Sequence, residues 1–188
     1  MLPLLIGLAA LAAPAPPTLD AATRARLDQG EIVLRQAADS SQVTALVHFP
    51  GPPARVWDII ADPVHLKASS GAVQTLEVYC DRVRPDGQRE QCLGYVIKVA
   101  FMEVEYNVIR VYDLDQGVMT WTLDRSRDND IVDTTGTFTT WPEADGGTLF
   151  SYQVNLDSGR SVPEFIAREL REASVKKFLT YVQRVSAP

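Results

Sequence analysis

The stretch that decides the fold is residues 161–185, SVPEFIARELREASVKKFLTYVQRV. Ser161 and Glu164 have the spacing of a capping box, in which the serine oxygen takes one free N–H of the first turn and the glutamate reaches back to another. Pro163 falls in that same turn, where its missing N–H is no loss. Glu164, Glu169 and Glu172 come early and Lys176, Lys177 and Arg184 late, which complements the helix dipole. Ile166, Leu170, Ala173, Phe178, Tyr181 and Val185 draw an apolar stripe. The spacing predicts a helix over 162–185, roughly 36 Å long at about 1.5 Å per residue, enough to cross a whole sheet.

Upstream lies the sheet for it to cross. Residues 43–49 alternate Val43, Ala45, Val47, Phe49 with Thr44, Leu46, His48, which is strand periodicity. A proline run at 50–53 ends that strand and opens a helix carrying Val56, Trp57, Ile59 and Ile60; Asp62-Pro63 breaks it, and 64–69 reads as a second short helix. Six more strands are predicted at 72–80, 91–101, 103–112, 118–124, 132–141 and 148–156. The connections are short and carry turn chemistry such as Pro85-Asp86-Gly87 and Asp145-Gly146-Gly147, so neighbours run antiparallel. Only the long helix can cover the apolar face of such a sheet, which makes the fold class α+β.

The turns suggest a register. A hairpin centred on Asp86 places Cys80 opposite Cys92 on the outer face, where two cysteines in an oxidising compartment form a disulfide. The same register sets Glu77 opposite Tyr95. A turn at Met102-Glu103 sets Arg110 opposite Tyr95 and turns Tyr106 and Arg110 inward. Glu77, Tyr95 and Arg110 then form a polar row across an apolar face, its ends roughly 10 Å apart. The row is either an anchor for a polar head or an ordinary ion pair, and a one-residue slip would undo it. In the last hairpin Phe138 is set opposite Phe150 and Gly136 opposite Tyr152, the glycine leaving room for the ring.

Ahead of all this, residues 4–13 are an apolar run too short to span a bilayer; Ala10-Leu11-Ala12 near its end fits an A-x-A cleavage pattern, and Pro14, Pro16 and Pro17 follow it. No Lys or Arg precedes the run. We read 1–17 as a signal peptide with a proline-rich linker, 18–42 as an extension with a short helix and strand, and 43–188 as the domain, giving a periplasmic or secreted protein. The net charge of −6 is the wrong sign for wrapping nucleic acid and leaves at most transient contact with a membrane surface. Two His and two Cys without ligand spacing argue against a metal, and no phosphate loop argues for a nucleotide. No cofactor and no catalytic residue is assigned.

The order of elements, with Pro53-x-x-x-Trp57, Asp62-Pro63, Gly136-x-Phe138, Gly147-Thr148-x-x-x-Tyr152, Val162-Pro163-x-Phe165 and the lead-in at 27–32, resembles the START-like (SRPBCC) superfamily over about residues 27–186. That superfamily includes polyketide cyclases, coenzyme Q-binding proteins and lipid-transfer START domains. The resemblance implies a helix-grip fold, in which a curved seven-stranded sheet wraps the long helix and encloses an apolar cavity. It does not fix the ligand.

Put together, these readings assign a small hydrophobic ligand, such as a lipid, quinone, sterol or polyketide, to a monomeric protein. Glu77, Tyr95, Tyr106, Arg110, Phe138, Tyr152, Leu170 and Ala173 are expected to bind it, with Trp57 and His65 at the cavity mouth. Trp121 is expected in the core, and His48 on the outer face. The alternatives are a cyclase or dehydratase, with Arg110, Tyr95, Glu77 or His65 polarising a ketone, and an interaction module whose side chains fill its own cavity.

Overall fold

Acid residues and prolines set the ends of the first three helices. The computed structural model describes residues 13–35, 42–99, 102–159 and 164–187, with side chains described throughout except at 99 and 164–172. Helix α1 (Ala21–Asp28) begins at Asp20, whose carboxylate accepts from the Thr23 N–H at 2.6 Å. Helix α2 (Pro53–Ala61) opens on its own proline. Asp62 ends α2 and caps α3 (Pro63–Ala68), accepting from the Val64 N–H at 2.8 Å, so one residue sets both the break and the restart.

The strands are β1 (Val33–Arg35), β2 (Gln42–Phe49), β3 (Val73–Val83), β4 (Arg89–Val99), β5 (Met102–Asp113), β6 (Val118–Leu123), β7 (Asp133–Pro142) and β8 (Thr148–Asp157). They form one curved antiparallel sheet in the order β1-β2-β8-β7-β6-β5-β4-β3. The sheet has eight strands where the domain alone was expected to supply seven, because the short strand expected in the extension joins it. The extra one is β1, which pairs Val33 with Leu46 and covers the backbone groups that β2 would otherwise leave at an open edge. Helix α1 fixes it there, because Leu27 packs with Val33, Leu46 and Leu149 in a small core on the outer face of the sheet.

Helix α4 (Glu164–Ser186) lies in the concave face. Among its described side chains Val175, Leu179, Val182 and Ser186 are buried, while Phe178, Tyr181 and Val185 are half-buried beside them and Ala173 is exposed. The buried face is thus more than a third of a turn from the expected stripe. Aliphatic side chains take the dry centre, and the aromatic rings take flanking positions where one edge packs and the other stays accessible. The expected cap at Ser161 and the expected contact of Leu170 lie outside the described residues and side chains. Arg55 of α2 closes the far end, donating to the Ser186 and Val185 carbonyls at 3.2 and 3.0 Å, a cation at the negative end of the helix dipole.

Cys80 and Cys92 form a disulfide across β3 and β4, with Cα atoms 4.8 Å apart. The Pro85-Asp86-Gly87 turn fixes this register, Gly87 taking the positive φ of 86° that the turn needs.

Candidate functional site

Strand alternation aims one set of side chains into the concavity. Tyr95 and Ile97 come from β4; Val104, Tyr106, Val108 and Arg110 from β5; Trp121 from β6; Thr134 and Phe138 from β7; Tyr152, Val154 and Leu156 from β8. Val175 and Phe178 of α4 and Leu66 of α3 close the other side. Between them is a cavity of about 370 Å³, within the range of small-molecule sites.

The aromatic wall holds its own shape. Phe138 meets Tyr152 edge to face at 4.7 Å and stacks on Phe178 at 5.7 Å. Trp121 packs against Phe138 at 5.1 Å and donates its indole N–H to Thr134 Oγ1 at 3.3 Å. Tyr95 and Tyr106 stack at 5.1 Å. Depth grades along the cavity: Tyr95, Val108, Arg110, Phe138 and Val175 are buried, whereas Ser70, Ala72, Met102, Leu156 and Ser158 are half-buried and form the rim.

One charge sits at the deep end. Arg110 donates to the Tyr95 hydroxyl at 2.8 Å and to the Ile60 carbonyl at 3.4 Å. Burial pushes the Tyr95, Tyr106 and Tyr152 phenols up, and the Arg110 charge offsets this only in part, so all three are neutral O–H groups near neutral pH. The described lining contains no His, Cys, Asp or Glu. The arrangement can enclose an apolar body and hydrogen-bond one polar end.

Tyr95, Tyr106, Arg110, Phe138 and Tyr152 all line the cavity. Glu77 does not. A bulge at Tyr79 slips the pairing by one residue, so Leu76 opposes Tyr95 while Glu77 opposes Gly94 and is exposed on the outer face. The β4–β5 turn lies four residues from the expected register, so Tyr106 opposes Tyr95 and Arg110 opposes Gln91. The Arg110 side chain nevertheless reaches Tyr95. Phe138 opposes Tyr152 and Gly136 opposes Val154; the ring that occupies the space over Gly136 is Trp121, not Tyr152.

Ala173 is exposed and does not line the cavity. Trp57 is not at the mouth: it is 5% exposed, donates to Thr140 Oγ1 at 3.1 Å and packs edge-on to Tyr112, all in the core. His65 faces α4 instead, its Nδ1 2.8 Å from the Tyr181 hydroxyl. Trp121, expected only in the core, lines the cavity as well. Phe178 was visible in the sequence as part of the helix stripe, but not as cavity wall.

Among the described residues two clusters have metal-ligand chemistry. In Cys80, Glu90 and Cys92 the sulfurs are spent on the disulfide. In His48, Glu143 and Asp145, Arg24 already pairs with Glu143 and supplies the positive charge.

A family model described as polyketide cyclase / dehydrase and lipid transport matches residues 40–186. A search of curated proteins gave no match. Among solved structures, the STAR-related lipid transfer protein (fragment 25–204) from Xanthomonas axonopodis aligns with a TM-score of 0.65 at 16% identity, over 82% of this chain and 92% of that one. The protein TTHA0849 from Thermus thermophilus aligns at 0.64 with 20% identity, over 77% and 96%. The Zhui aromatase/cyclase from Streptomyces sp. R1128 aligns at 0.61 with 16% identity, over 77% and 92%. At such identities the likeness is one of fold.

Proposed function

The chain belongs to the polyketide cyclase / dehydrase and lipid transport family, and from that premise we propose that it binds, and carries, one small hydrophobic molecule in the cavity between the sheet and α4. The observation that carries this reading is the cavity of about 370 Å³, walled by aliphatic and aromatic side chains. A molecule inside it gains about 25 cal/mol for each Å² of apolar surface taken from water. Tyr95, Tyr106, Arg110, Phe138 and Tyr152 are the binding residues in this reading, joined by Trp121, Val108 and Phe178. The gate is the end of α3 with Ser69 and Ser70, which touch the cavity; Trp57 is fixed in the core and stays put.

We assign 1–17 to a leader and place the protein outside the cytoplasm as a monomer. The Cys80–Cys92 disulfide supports that compartment. No helix among the described residues is long and apolar enough to cross a membrane. The second reading, a cyclase or dehydratase, is favoured by one feature: the Arg110–Tyr95 pair at the closed end could polarise a carbonyl.

The test is titration with an apolar fluorescent dye, on the protein and on Val108→Phe. Val108 is 3% exposed and borders the cavity, so the larger ring grows into empty space. One saturable dye site, lost in Val108→Phe while the melting curve is kept, supports the reading. Dye binding unchanged by Val108→Phe contradicts it.

A further inference from the structure

The charge balance of the cavity says more than that its ligand is apolar. Arg110 is 8% exposed, lies in the cavity wall, and carries a charge at every accessible pH. A cation so far from water needs a counter-charge. Glu77, the partner the sequence offered, is exposed on the other face of the sheet. Among the described residues no carboxylate forms an ion pair with Arg110. Its compensation among the described residues is the Tyr95 and Tyr112 hydroxyls and the Ile60 carbonyl, the last at the C-terminal and therefore negative end of α2. Among the described residues its buried Nε–H has no hydrogen-bond partner, which in a native site calls for an explanation.

We propose that the ligand is an amphiphilic acid: a single apolar tail bearing one anionic head, carboxylate or phosphate, that enters head first and seats on Arg110. This deepens the binding function proposed above and rests on it. The chemistry fits on three counts. A guanidinium edge that includes Nε offers two parallel N–H donors, the geometry that matches two oxygens of one acid group. Tyr95 accepts from Arg110, which leaves its own proton to donate to the same head. The tail then runs from the buried end past Val108, Phe138 and Phe178 to the half-buried rim at Met102 and Leu156, which carries no charge. A neutral ligand of the same shape would leave the charge and the Nε–H as they are.

The experiment uses the full chain and displacement of the apolar dye by four probes with a common tail: laurate, monolauryl phosphate, lauryl alcohol and methyl laurate. At neutral pH at least one acid should bind about ten- to a hundredfold tighter than the alcohol, the range of a hydrogen-bonded charge. Laurate and the phosphate, compared with each other, identify the head. The preference for laurate should vanish as the pH falls through the carboxylate range. Arg110→Met should erase the preference of acid over alcohol; Arg110→Lys, a point charge without the fork, should keep part of it. If Arg110→Met does not fold, acid against alcohol in the unaltered protein decides alone. Alcohol or ester binding as tightly as both acids overturns the anionic head and leaves the cavity function standing. Failure of all four probes and of the dye overturns the binding function itself.

Discussion

Replacing Gly136 by alanine should damage stability and binding together. Gly136 lies in mid-β7, opposite Val154 on one side and Trp121 on the other. A methyl placed there falls inside the van der Waals envelope of Trp121 Cζ2 and Cη2, and against the Gln153 backbone carbonyl. The carbonyl belongs to a paired strand and cannot retreat, so the indole must. Phe138 and Tyr152 hold the ring at 5.1 and 5.7 Å, which leaves the cavity as the open direction. Overpacking of this kind costs about 1–3 kcal/mol. Losing the indole's hydrogen bond to Thr134 adds about 1 kcal/mol. The total, roughly 2–4 kcal/mol, should lower Tm by about 5–15 °C for a chain of this size. Urea unfolding followed by tryptophan fluorescence measures the stability, and dye titration of the still-folded variant measures the cavity, where affinity should fall about tenfold or more. A Gly136→Ala protein with unchanged stability and unchanged dye binding would refute the placement of Trp121 and the wall built on it.

Three further outcomes are expected. Changing both Cys80 and Cys92 to serine opens a loop closed at a sequence separation of 12 and should cost about 3 kcal/mol in the chain-entropy model; two titratable thiols in the non-reduced exported protein would contradict the bond. Leu179→Ala, at a fully buried site, should cost about 2–5 kcal/mol, whereas exposed Lys67→Ala should stay within about 0.5 kcal/mol; equal melting curves would mean the wrong face of α4 is buried. The Ser126 hydroxyl, with Tyr79 and the Ser126 N–H, holds the Asp124 carboxyl below the usual carboxylate range. Stability from this group is therefore complete above that range and lost as pH falls through the lowered value. Asp124→Asn should flatten the acid side of a stability-against-pH curve, and an unaltered slope would contradict the assignment.

How much of this could be read from the chain depended on whether each register error was odd or even. The β4–β5 pairing differs from the expected one by four residues and β7–β8 by two. Even shifts keep every side chain on its face, so Tyr106, Arg110, Phe138 and Tyr152 reached the cavity although their partners changed. The bulge at Tyr79 shifts β3 by one, and that alone sent Glu77 outside. Nothing in the residues around Tyr79 marks a bulge, since no glycine stands there. Cys80 and Cys92 lie on the hairpin side of it, where the Asp86 turn dictates the pairing, and so their disulfide was legible. The α4 stripe was misjudged because Phe178 and Tyr181 count as apolar in a pattern yet are only half-buried, at the boundary of the core. Trp57 was misplaced because a helix that looks like a lid in sequence is anchored by its indole hydrogen bond to Thr140.

The central claim is that the cavity holds one small amphiphilic molecule. Native mass spectrometry of the protein purified from an export-competent host tests it most directly. We expect a single mass increment that disappears on denaturation, is absent from Val108→Phe, and yields on extraction a compound with one acidic group. A protein that runs at its polypeptide mass alone, and takes up neither laurate nor lauryl alcohol when they are added, would contradict it.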